Sequence, residues 1–176
     1  ARAQLALEMA HAAGVSRARS HCDWWEADVV PKAWPVLKEL AQDWSGRISL
    51  QQVCLVPLHL YAQVDVAMRI ARIVADSGKN ALLGGFVHTS NFNPKAVANL
   101  LQAAQSHGLD VDLHVDEELN PAAQGLATIA RMAQELRFDH HITCGHVCAL
   151  SQQEDSIALA TLDAVARLPI TLISLP

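Results

Sequence analysis

The sequence predicts an α/β fold, the central portion of a (β/α)8 barrel with about six units and the terminal strands missing. Three observations carry that expectation. Helical and extended stretches alternate along all 176 residues, and histidines and carboxylates recur near the C-terminal ends of the extended ones. Neither GxGxxG nor GxxxxGK[ST] is present, which removes the usual marks of a doubly wound nucleotide-binding sheet. Residues 1–176 are expected to form one partial barrel domain.

The elements follow in order. Residues 2–13 are alanine-rich and helical, with Gly14 as the stop. "VSRARSHCDW" is a strand, and a helix opened by Pro31 covers 31–44. "ISLQQVCLVPL" is extended, and the amphipathic "AQVDVAMRIARIVADSG" ends at Gly78. "ALLGGFVHTS" is a strand, followed by a helix with Asn93 as N-cap, Pro94 in its first turn and Gly108 as stop. Residues 109–117, "LDVDLHVDE", alternate apolar Val111, Leu113 and Val115 with Asp112, His114 and Asp116. Period-two alternation of this kind predicts a strand with one apolar and one polar face. A helix over 121–137, a strand over 140–149, a helix over 151–168 and a strand over 169–176 complete the series.

Composition narrows the function. Hydrophobic residues make up 51% and charged residues 18%, enough apolar surface for a core and too little charge for disorder. A net charge of −5 without a Lys/Arg run argues against nucleic acid or an anionic membrane as partner. No apolar stretch is long enough to span a bilayer. Cys22, Cys54, Cys144 and Cys148 are too few and scattered for a disulfide scaffold, so reduced, buried thiols in a cytoplasmic protein are expected. The expected partner is a small molecule, and a homo-oligomer is left open.

His21 with Asp23, His59, His88, His114 with Asp116 and Glu117, and His146 all fall at or near strand ends. In a (β/α) barrel those ends converge on one site. If the polar face of 109–117 looks inward, His114 is an imidazole ligand for zinc or iron. Glu117, three residues on, can then exchange protons with an activated water, and His146 on the next strand can orient that water. The competing readings are structural: a hydrogen-bonded strand-end histidine, and an acidic helix N-terminus at 116–118. Trp24, Trp25 and Trp34 read as core or interface packing, with pocket lining as the alternative.

"LHVDEELN", followed by a helix and "ITCGHVCALS", resembles the cytosine deaminase branch of the amidohydrolase superfamily. "RARSHCD", "ISLQQVCLVP" and "LLGGFVHTSNF" are similar to that family's second, third and fourth strands, in order. The resemblance implies one divalent metal ion, zinc or iron, and hydrolytic removal of an amino group from a small nitrogen heterocycle. It assigns His114 to the metal, Glu117 to proton transfer and substrate contact, and His146 to water and substrate. The family's H-x-H strand and its final aspartate strand are not in this sequence, so the complete metal site is expected to need further segments. Cytosine deaminases carry a glutamine after the third-strand proline. Here Leu58 and His59 follow Pro57 and are the expected substrate contacts at that point, together with His88 on the next strand. That exchange points away from cytosine itself.

Overall fold

The computed structural model describes residues 2–174. Helices and strands alternate as α1 (Arg2–Ala12), β1 (Arg17–Asp23), α2 (Ala33–Asp43), β2 (Ser49–Pro57), α3 (Val64–Ala75), β3 (Ala81–Val87), α4 (Pro94–His107), β4 (Val111–Val115), α5 (Gly125–Leu136), β5 (Ile142–His146), α6 (Asp155–Val165) and β6 (Ile170–Ile173). Every strand pairs in parallel with the next, in the order β1 to β6. A doubly wound sheet reverses its strand order midway, whereas a barrel does not. The sheet is therefore a partial (β/α) barrel, and among the described residues β1 and β6 are its open edges.

Alternation along the strands divides inside from outside. Cys54, Val56, Leu83, Val111, Leu113, Val115, Ile142 and Cys144 face the helices and are buried. They pack on the apolar stripes of the central helices, including Ile70 and Val74 of α3, Leu100 and Leu101 of α4, and Ile129 and Ala133 of α5. Burying a side chain of this size stabilises by about 1.5–3 kcal/mol, which makes this layer the main support of the sheet. A smaller cluster of Leu7, Ala41, Trp44, Ile48 and Leu50 closes the region under α1.

The expected caps are present. Asn93 accepts from the Lys95 and Ala96 amides at 3.1 and 3.2 Å, and Gly108 ends α4 in the left-handed region. The elements are shorter than their patterns suggest, and short 310 turns follow three strands: Leu58–Ala62, Thr89–Asn91 and Cys148–Gln152. Such turns have no long period to betray them. The first is pinned from within the core, where Tyr61 donates its hydroxyl to the Gly84 carbonyl at 2.7 Å and Asn99 donates to the Tyr61 carbonyl at 2.8 Å. Cys22, Cys54, Cys144 and Cys148 are free thiols, the first three buried. No helix among the described residues is long and apolar enough to cross a membrane. Residues 175–176 of the last expected strand lie outside the described residues.

Candidate active site

The inner face of the sheet is polar where its outer face is apolar. Register places Arg19 beside Gln51 on β2, and Asp112 beside Thr143 on β5. Arg19 binds the other three: it donates to Gln51 Oε1 through Nε at 3.0 Å and Nη2 at 2.8 Å, to Thr143 Oγ1 at 3.0 Å, and to the Asp112 carboxylate in an ion pair. His21 Nε2 meets the other Asp112 oxygen at 3.1 Å. Burial pushes the Asp112 carboxyl upward, but the hydrogen bonds and charges of His21 and Arg19 outweigh it and hold the group below its ordinary value.

Above this floor three imidazoles stand in a row. The His21 and His114 ring centres are 4.7 Å apart at 63°, and those of His114 and His146 are 4.7 Å apart at 71°. His114 is half-buried. Burial first, then the charges of His21 and His146, lower its pKa and favour the neutral ring, the form that binds metal ions. His146 Nδ1 lies 3.5 Å from Glu117 Oε1.

The ends of β4 and β5 are bent to achieve this. Asp116 (φ 48°), His146 (φ 71°) and Val147 (φ 47°) occupy the left-handed region that non-glycine residues seldom adopt. The Val147 amide is tied to the Val115 carbonyl at 2.9 Å and the Ala149 amide to the Asp116 carbonyl at 3.2 Å. Three such backbones side by side at a cluster of polar side chains match the placement of strain where function requires it.

Sequence reading and structure differ at several of the expected residues. His114, Glu117 and His146 come together, and His88 joins His114 and Glu117 on a cavity of about 330 Å3 that Phe86, Val87 and Ser90 complete. Leu58 does not: it is fully buried in the core with Tyr61 and Leu100, so the expected substrate contact is corrected. The 310 turn after Pro57 rolls Leu58 toward the helices. His59 is exposed on that turn and lines neither cavity beside His114. Asp116 also departs from the expected inward face. β4 ends at Val115, and the Asp116 carboxylate accepts from the amides of Gly125 and Leu126 at 3.1 and 3.0 Å, capping α5. Glu118 accepts from the Thr89 amide at 2.7 Å. The acidic helix-terminus reading therefore holds for Asp116, while Glu117 points to the site.

Arg19, Gln51 and Thr143 escaped the sequence reading. Arg19 and Asp112 each stand two residues before a strand-end histidine, His21 and His114, and so share its face; that parity was the available signal. Trp24 and Trp34 are core, 5.5 Å apart edge to face, whereas Trp25 is 65% exposed.

Two donor sets have the density of a metal site, His21–Asp112–His114 and His114–Glu117–His146, with ligand atoms within 4.8 Å of one another in each. In the first, the Asp112 charge is already balanced by Arg19, which leaves little attraction for a cation. His114 is common to both, neutral in preference, and its imidazole suits zinc or iron. The residues present therefore fit a divalent ion held through His114.

No family model matches the chain. It is 32% identical over 178 residues to a pterin deaminase of Rhizobium rhizogenes, a match covering 99% of this chain and 39% of that protein. In fold it matches 5-methylcytosine deaminase from Klebsiella pneumoniae liganded with phosphonocytosine, with a TM-score of 0.78 and 24% identity over 97% of this chain and 42% of the other. N-isopropylammelide isopropylaminohydrolase from Burkholderia multivorans superposes with a TM-score of 0.72 and 26% identity over 97% and 44%. The chain thus spans about two fifths of the length of each of these relatives. With its unreversed parallel sheet and the histidines at its strand ends, the chain is similar to the central part of the barrel of these cytosine deaminase-like amidohydrolases.

Proposed function

We propose that this chain supplies the central catalytic part of a metal-dependent hydrolase that removes an amino group from a small nitrogen heterocycle, acting in the cytoplasm. The observation that carries the reading is the convergence of His114, Glu117 and His146 from β4, the turn after it and β5. The relatives named above support the reaction class, since their names describe two deaminations and the removal of an alkylamine.

A divalent ion, zinc or iron, held in part by His114 would supply a water acidic enough to attack a ring carbon near neutral pH. Glu117 takes the proton released as the C–O bond forms. Its side chain is 58% exposed, so the carboxylate is free to turn from the water to the ring. It passes that proton to the ring nitrogen that receives the C=N electron pair, then carries the remaining hydroxyl proton to the amino group. The C–N bond breaks, and ammonia leaves with a carbonyl in its place. His146 sits beside Glu117 with its side chain only 13% exposed and is placed to donate to the oxygen that gains charge. His88 faces the same cavity with Nε2 near Glu118 and Nδ1 accepting from the Ser90 amide, and is placed to contact the heterocycle.

Glu117→Gln in the full-length protein tests this. The amide keeps the shape but cannot carry the proton, so ammonia release should fall at least about 100-fold with metal content unchanged. Near-normal turnover would sink the assignment of Glu117. Recovery of a new carboxylate with no ammonia would replace deamination by opening of a cyclic amide.

A further inference from the structure

Phe86 is the β3 neighbour of His114 in the parallel register and lines the cavity that holds His88, His114 and Glu117. It is therefore on the inner face of the barrel, at the level of the candidate chemistry. The Trp25 ring, two residues past the end of β1, lies 6.4 Å from the Phe86 ring at 65°. Strand β2 lies between β1 and β3, so this contact spans the width of β2. Its neighbour Trp24 is fully buried, so the chain had an apolar place for an indole and used it for the preceding residue. Trp25 instead is 65% exposed among the described residues.

Two rings meeting at that angle form an aromatic corner beside an otherwise polar site. Ligand cavities combine such apolar walls with a few polar groups that fix orientation. A heterocycle whose reacting carbon lies at His114 and Glu117 covers Phe86. Trp25, in edge contact with Phe86, stands next to that cavity, on the far side of Phe86 from its polar groups. Resting on the deaminase reading, we propose that Trp25 and Phe86 form a stacking subsite that selects a fused two-ring substrate, such as a pteridine, over a single pyrimidine ring.

The test uses the full-length protein and two probes, pterin and cytosine, in equilibrium dialysis, with ammonia release measured in parallel. Trp25→Ala should weaken pterin binding about tenfold, the scale of one lost aromatic stack. The ratio of pterin to cytosine affinity should fall at least about fivefold, and Trp25→Phe should restore most of it. A general structural defect would weaken both probes alike and would not be rescued by phenylalanine. An unchanged ratio in Trp25→Ala overturns the subsite. If wild-type protein binds pterin through Trp25 but releases no ammonia from either probe, the subsite stands and the deaminase reading falls.

Discussion

Asp112, near the start of β4, and Asp116, just past its end, are four residues apart and both buried, yet their surroundings act on them in opposite directions. Asp112 lies on the inner face, where two charged or chargeable partners hold its carboxyl below the ordinary value despite burial. Asp116 has turned outward at a left-handed residue. Burial raises its pKa, and the hydrogen bonds from the Leu126 and Gly125 amides only partly compensate. Burial alone thus decides little about a carboxylate. Side-chain hydrogen bonds from His21 and Arg19, reinforced by their charges, overcome desolvation, whereas two backbone hydrogen bonds at a helix terminus do not. The floor of the half-barrel is consequently held by strong, directional pairs, while the mouth is held by bent backbone and leaves Glu117 exposed.

The contrast can be broken most sharply at Arg19. Arg19→Met removes the charge that balances Asp112 and the ties to Gln51 and Thr143. Unfolding of the full-length protein in urea should show a loss of about 3 kcal/mol, the scale for stripping one partner from a buried pair. A loss under about 1 kcal/mol would mean the floor is not held through this guanidinium. Because the Asp112 value is depressed in the fold, its contribution is present above the unfolded value of about 3.9 and is lost as pH falls through the folded one. The wild-type advantage over Arg19→Met should shrink in that acidic window.

Asp116→Ala comes next. It deletes the acceptor for two amides at the start of α5, and a cap of this kind is worth about 1–2 kcal/mol. The carboxylate fits closely there: Gly125 is packed directly against it, and a Cβ at Gly125 would overlap it. The smallest effect is expected for Asp116→Asn, within about 1 kcal/mol at neutral pH, since one acceptor survives and the buried charge is gone. Here the pH sign reverses. A raised folded pKa gives stability that is complete below about 3.9 and is lost as pH rises through the folded value. Wild-type protein should therefore gain on Asp116→Asn as pH falls from neutral toward 4. A gap that moves the other way would place Asp116 with Asp112 and erase the contrast.

Much of this architecture was legible in the residues. Asn93, Pro94 and Gly108 marked the ends of α4 because caps are local chemistry, and the alternation of Val111, Leu113 and Val115 with Asp112 and His114 marked β4 because the strand period is local geometry. The parallel barrel followed from regular alternation and from histidines recurring at strand ends. The positions that misled, Leu58 and Asp116, both lie just past a strand. There a single left-handed residue or a 310 turn redirects a side chain, and no periodicity reports it.

The sequence by itself determined the element order, the polar and apolar faces of β4 and the candidates His114, Glu117 and His146, since these depend on spacing along one strand and on resemblance of short motifs. Only the tertiary structure decided which groups meet. Arg19 reaches Thr143 across 124 positions of chain, and Trp25 reaches Phe86 across the width of β2. Such contacts are set by register between strands and by the curl of the whole sheet, and neither quantity is written in any local window of residues.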